Sequence, residues 1–86
     1  MNFKYSIYQH ADDEIVQVWW ENFLAEVINS IGGQAEWEKM GYVKGLALIN
    51  SILSDDYNAE FGYHFPRTIV FETEESALLF MLKYSS

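Results

Sequence analysis

The spacing of apolar residues in the first third of the chain changes from alternation to helical periodicity. Residues 3 to 8 alternate between apolar and polar side chains, which predicts a half-buried strand. Apolar residues then recur every three or four positions, which predicts a first helix capped by Asp12 or Asp13 and ended by Gly32 and Gly33. Its apolar stripe consists of Val16, Trp20, Phe23, Leu24, Val27 and Ile31.

Residues 34 to 56 are also helical in character, and this second helix carries apolar residues on two sides. Two glycines weaken it by about 1 kcal/mol each relative to alanine, and they allow a separate short turn around Trp37. One stripe consists of Tyr42, Leu46, Ile49 and Leu53. Leu48 and Ile52 project to the other side, so the helix either runs through the middle of the domain or docks on another chain.

The residues after this helix predict a β-hairpin. A polar turn at residues 54 to 58 precedes a strand in which Phe61, Tyr63 and Phe65 alternate with other residues. Pro66 cannot donate to a sheet ladder, so it marks the end of this strand. Residues 68 to 72 begin with four β-branched or aromatic residues and predict the next strand.

The last segment predicts a capped helix. Thr73 is the expected N-cap, and Glu74 and Glu75 complement the positive end of the helix dipole. The expected buried face consists of Ala77, Leu78, Met81 and Leu82. The element order is then β-α-α-β-β-α, which predicts a two-layer α+β fold with a three-stranded antiparallel sheet and about three helices.

Length and composition limit the class of protein. Eighty-six residues, half of them apolar, fit one compact domain over residues 1–86. The longest apolar run, residues 77 to 82, is far shorter than the ~20 residues that span a bilayer, and no secretory signal begins the chain. Since the chain has no cysteine and therefore no disulfide framework, we expect a cytoplasmic protein.

The charge points to a protein partner. Thirteen acidic against five basic residues give a net charge of −8, which disfavours direct binding to nucleic acids and to anionic membranes. This charge attracts a basic protein surface. The alternative is that the acidic residues only keep the protein soluble. The acids at residues 12 to 14 and 72 to 75 fall at predicted helix starts, whereas Asp55, Asp56 and Glu60 have no such role and form the expected acidic patch.

Groups that could perform catalysis are sparse. The chain has two histidines, no glycine-rich phosphate loop and no nucleophile elbow. His10 near Asp12 and His64 near Glu60 are conceivable carboxylate–imidazole pairs, but neither has the spacing of a metal site. We therefore expect no enzymatic activity, no cofactor and no metal.

Aromatic residues provide the second indication of an interface. Trp19 and Trp20 are adjacent on the first helix and point about 100° apart, so only one of them can lie at the centre of the buried stripe. Trp20 fits the core, while Trp19 lies at its flank and Val18 on the polar side. Together with Trp37, these flanking residues either cover the edge of a small core or contact a partner.

The C-terminal segment resembles proteins of a known group. Residues 71–84, FETEESALLFMLKY, resemble the ends of short early proteins of large tailed bacteriophages, in which a strand leads into an acidic-capped helix. The resemblance covers about the last 20 residues and the first helix only vaguely, and it identifies no shared site. It implies a small protein that acts in the host cytoplasm by binding host machinery.

These observations predict a non-enzymatic, acidic protein that binds a basic or nucleic-acid-handling protein and inhibits or redirects it, for example in host takeover or anti-defence. The predicted contacts are Val18, Trp19, Trp37, Leu48, Ile52, Asp55, Asp56 and Glu60. The main alternative is a structural homo-oligomer, such as a homodimer or a virion or scaffold component, joined through Leu48 and Ile52. A nucleic-acid mimic and a small-ligand domain with a histidine at its pocket mouth are further alternatives.

Overall fold

A computed structural model describes residues 3–9, 15–62 and 68–85. Three strands and four helices lie in these ranges. In chain order they are β1 (Phe3–Ser6), α1 (Val18–Ser30), α2 (Gln34–Met40), α3 (Tyr42–Tyr57), β2 (Ala59–Gly62), β3 (Thr68–Phe71) and α4 (Glu74–Tyr84).

The three strands form one antiparallel sheet with the order β1-β3-β2, which confirms the predicted α+β class. Strand β3 is central and pairs Ile69 with Tyr5 on one side and with Phe61 on the other. Buried and more exposed residues alternate along β2 and β3. On the more exposed face, Lys4 and Glu60 flank Val70 in one cross-strand row.

The described residues contain four helices, in the order β-α-α-α-β-β-α, where the sequence predicted about three. Gly41 separates α2 from α3 because its φ of +85° is a conformation that favours glycine. The predicted polar turn at residues 54 to 58 is also wrong in its extent, since α3 continues through Tyr57. Leu53 is fully buried and Tyr57 packs against the core, and Asn58 then ends the helix in the left-handed conformation.

Helix α1 begins later than predicted. Gln17 is its N-cap, so neither of the two predicted capping residues, Asp12 and Asp13, occupies that position; both lie outside the described residues. Directly before α1, Val16 forms an antiparallel bridge with Tyr8, and the Gln17 N–H donates to the Ile7 carbonyl at 2.7 Å. Of the predicted second strand, Phe61 lies in β2, and residues 63–67, with Pro66, lie outside the described ranges.

The core lies between the helices and the sheet and is rich in aromatic rings. Trp20 of α1 stacks on Phe61 of β2 at 5.2 Å between ring centroids, and Phe23 packs on Phe80 of α4 at 5.1 Å. Trp20 is 6% exposed, which confirms its predicted place in the core. The Asn50 side-chain oxygen on α3 accepts a hydrogen bond from the Phe61 N–H at 2.7 Å, and this bond connects β2 to the helix.

Helix α4 has the predicted cap and only part of the predicted buried face. The Thr73 hydroxyl accepts the Ser76 N–H at 3.1 Å, as expected for an N-cap. Ala77, Phe80 and Tyr84 are buried, whereas the predicted core residues Leu78 and Leu82 are exposed. Apolar residues recur every three or four positions on two sides of this helix. Periodicity alone therefore could not identify the side that meets the core.

Candidate interaction surface

Three leucines cover the outer side of α4. Leu78 is 53% exposed, Leu79 57% and Leu82 73%. At about 100° per residue, the centre of this group lies roughly opposite the buried side of the helix. These three residues are named the α4 leucine face. A helix of a small protein normally places polar residues there, so the face is the most unusual apolar feature of the described surface.

The helix that carries this face is fixed to the body of the protein. The Asn22 side-chain amide of α1 donates to the Tyr84 carbonyl at 2.7 Å. The Lys83 ammonium lies 3.8 Å from the Glu26 carboxylate, an exposed ion pair that adds little by itself. Because packing and hydrogen bonds hold both helices, the leucines are presented on a rigid element, which reduces the entropic cost of binding a partner.

Negative charge borders the leucine face at the start of α4. Glu74 and Glu75 are exposed in the first turn, one turn before Leu78. They stabilise the helix through its dipole, and they also present carboxylates beside an apolar surface. This combination is complementary to a partner surface that is apolar with basic residues at its edge.

Two predicted contact residues of α1 lie where the sequence placed them. Val18 is 53% exposed on the first turn. Trp19 is half-buried and its ring meets the Phe80 ring edge-on, with 5.8 Å between centroids. Trp19 therefore covers part of the contact between α1 and α4 and keeps some surface toward solvent.

Trp37 packs on α3 at a glycine. A Cβ atom added to Gly45 would lie 3.1 Å from the Trp37 ring, so the absence of a side chain there lets the indole approach the helix closely. The Gly41 and Gly45 pair thus has local structural roles, one at the helix break and one beneath this ring. Trp37 remains half-buried.

Leu48 and Ile52 are less available than the sequence indicated. Both are half-buried and pack against the core cluster. Ile52 also lines a cavity of about 180 Å³ between α1, α3 and α4, together with Asp56 and Tyr84. On α3 these two residues lie beside the buried stripe, so they expose less apolar surface than the leucines of α4.

Two residues of the predicted acidic patch line different concave regions of the surface. Asp55, Asp56 and Glu60 are all exposed. Asp56 lines the small cavity beside Ile52, whereas Glu60 lines a polar cleft of about 300 Å³ together with Glu72 of the segment after β3. Asp56 and Glu60 are close in sequence, but the end of α3 and the start of β2 place them in different regions.

The described residues hold no cluster of three or more side chains that could bind a metal ion. The two histidines that the sequence analysis considered, His10 and His64, lie outside the described ranges. No helix within those ranges has both the length and the hydropathy needed to cross a bilayer.

Comparison with known proteins found no matching family model, no matching curated protein and no matching solved structure. The proposals below therefore rest on the residues and geometry of this chain. The α4 leucine face was not predicted from the sequence, because the spacing of Leu78 and Leu82 had placed both residues in the core. The signal that could have found it was the composition of the helix, which has more apolar residues than one buried side can hold.

Proposed function

We propose that this protein is an acidic, non-enzymatic binding module that docks on a basic surface of another protein and inhibits or redirects that protein. The observation that carries the proposal is the α4 leucine face, three exposed leucines on a helix whose opposite side is in the core. Apolar patches on a small protein commonly mark binding sites. A partner that buries such a patch gains free energy, since full burial of one leucine is worth about 1.5–3 kcal/mol.

Charge supports the choice of partner. With a net charge of −8 and with Glu74 and Glu75 beside the leucines, encounter with a cationic surface is accelerated and encounter with an acidic one is opposed. Nucleic-acid-handling proteins present cationic surfaces of this kind. The resemblance of residues 71–84 to early phage proteins makes a bacterial extract the appropriate source of partners.

The first testable prediction is that partner capture depends on the leucine face. Immobilised protein is compared with the double variant Leu78→Gln, Leu82→Gln in a bacterial extract, and captured proteins are quantified by mass spectrometry. Glutamine keeps helix propensity and length while removing the apolar surface. We expect the double variant to capture at least tenfold less of one basic protein than the unmodified chain does. We also expect salt to release that basic protein from the unmodified chain.

Val43→Gln is the matched control, since Val43 is 79% exposed on a different helix. It should capture the same protein as the unmodified chain, and all three proteins should melt within a few degrees of one another. Equal capture by the double variant, or capture of acidic proteins only, would overturn the proposal.

A homo-oligomer is the competing function, because an apolar helix face also suits a second copy of the chain. Light scattering separates the two functions. A dimer that the Leu78→Gln, Leu82→Gln variant converts to a monomer would assign the leucine face to self-association. A dimer that persists in that variant would favour the contact through Leu48 and Ile52, and a monomer at high concentration favours binding to another protein.

A further inference from the structure

A cavity of about 460 Å³ lies where α1, α2 and α3 converge near the ends of β1 and β2. This volume is within the range of about 300–1,000 Å³ that is typical of small-molecule sites. The cavity is separate from the α4 leucine face, since no residue of α4 lines it among those described. It is named the α2–α3 cavity.

Aromatic side chains form much of its wall. Trp20 and Phe61, which stack on each other at an interplanar angle of 7°, both line the cavity. Trp37 of α2 and Tyr42 of α3 line it as well, and Tyr42 is 64% exposed, which places it at the solvent-facing side. Aromatic faces carry negative electrostatic potential and attract cations within about 6 Å of the ring centre.

The polar groups of the cavity wall are also suited to a cation. Glu38 is the one charged residue among the described lining residues, and the Gln34 side-chain amide lies 3.5 Å from its carboxylate. Both side chains are exposed on α2, one turn apart. A carboxylate at the edge of an aromatic cavity can pair with a positive group whose apolar body lies inside.

We propose that the α2–α3 cavity binds an organic cation, a ligand with an apolar or aromatic body that carries one positively charged nitrogen. Trp37 and Trp20 contact the body and the cationic group through their rings, and Glu38 pairs with the charge from the edge. The net charge of −8 raises the local concentration of such a ligand and excludes anions of the same shape.

The test uses three soluble probes with the same ring and different charge: benzyltrimethylammonium, benzyl alcohol and benzoate. Indole N–H signals of the three tryptophans are followed by NMR during titration. We expect the cation to shift the signals of Trp20 and Trp37 with a Kd at least about tenfold lower than that of the alcohol. Trp19 packs on Phe80 and does not line the cavity, so its signal should move little.

A pair of charge-matched variants then separates the site from the general field of the molecule. Glu38→Gln should weaken binding of the cation at least about threefold, as expected for an exposed charge pair. Glu36→Gln removes the same charge from the same helix, but Glu36 pairs with Lys39 and does not line the cavity, so affinity should stay the same. Trp37→Phe, which keeps an apolar ring, should weaken binding of the cation more than binding of the alcohol.

Three results would overturn the proposal. One is an alcohol or benzoate that binds as tightly as the cation. Another is equal weakening by Glu36→Gln and Glu38→Gln, or equal shifts at Trp19, since either would indicate diffuse attraction to an acidic surface. The third is the absence of saturable shifts at Trp20 and Trp37. None of these outcomes depends on the leucine face, so the two proposals fail separately.

Discussion

At the scale of single residues, Tyr84 connects three helices. Its ring lies 5.3 Å from that of Phe23 on α1, and its hydroxyl lies 3.5 Å from that of Tyr57 on α3. The residue is buried, and its backbone carbonyl accepts the Asn22 amide. Burial, followed by hydrogen bonds to Tyr57 and Glu26, raises the pKa of the Tyr84 phenol far above its usual range.

The raised pKa predicts an alkaline loss of stability. The native state keeps the phenol protonated, while the unfolded chain releases the proton at a pKa of 10.0. The contribution is therefore complete below pH 10, and it falls above pH 10 by up to about 1.4 kcal/mol per pH unit. Urea unfolding at pH 7, 10 and 11.5 should show a steeper loss in the unmodified protein than in Tyr84→Phe.

The comparison at pH 7 is the internal control for this prediction. There the phenylalanine variant keeps the ring packing and should lose only about 0.5–1.5 kcal/mol for the missing hydrogen bonds. Identical slopes above pH 10 in the two proteins would show that the Tyr84 phenol is not protected in the native state.

At the scale of elements, acidic residues occupy opposite ends of two helices. Glu74 and Glu75 lie in the first turn of α4, where the helix dipole favours negative charge. Asp55 and Asp56 lie in the last turn of α3, where the dipole opposes it and where no basic residue compensates. The two aspartates therefore occupy electrostatically unfavourable positions.

This asymmetry predicts mutations of opposite sign. Asp55→Asn should raise the free energy of unfolding by about 0.3–1 kcal/mol, and Glu75→Gln should lower it by a similar amount. Both side chains are exposed, and both substitutions remove one negative charge, so each is the control for the other. Urea unfolding at low ionic strength measures the difference. A stabilising effect of both variants would mean that net charge, not helix position, decides the result.

The elements that could be predicted from the sequence are those whose pattern of apolar and polar residues fits only one structure. The alternation around Ile69 and Phe71 identified β3, and Thr73 with the acids after it identified the start of α4. The orientation of α4 could not be predicted, because Leu78 and Leu82 have the same spacing as a buried pair. The core selected the larger rings of Phe80 and Tyr84, a choice that depends on tertiary packing.

The candidate sites were less predictable than the elements. Trp19 was correctly placed at the flank of α1, because two adjacent tryptophans cannot share one buried stripe. The α2–α3 cavity combines residues from α1, α2, α3 and β2 that are distant in sequence, and no spacing rule joins them. The helix break at Gly41 and the close contact of Trp37 with Gly45 position α2 at this cavity.

At the scale of the whole molecule, the acidic charge has opposite effects on binding and on stability. The described ion pairs Lys39–Glu36 and Lys83–Glu26 are long, at 3.5 and 3.8 Å, and both are exposed, so they relieve little of the repulsion among the carboxylates of a chain whose net charge is −8. The same field that attracts a basic partner makes the folded protein repel itself. Moderate salt should therefore weaken partner binding and stabilise the free protein.

The final prediction is that the melting temperature rises with sodium chloride. Between 10 and 150 mM salt the Debye length falls from about 30 to about 8 Å, which screens repulsion between acids on different elements. Each kcal/mol of repulsion removed should raise the melting temperature by about 4–8 °C in a chain of this size. Circular dichroism melts in sodium chloride measure the effect. A melting temperature that falls with salt would mean that local ion pairs outweigh the repulsion between acids, which would contradict the prediction.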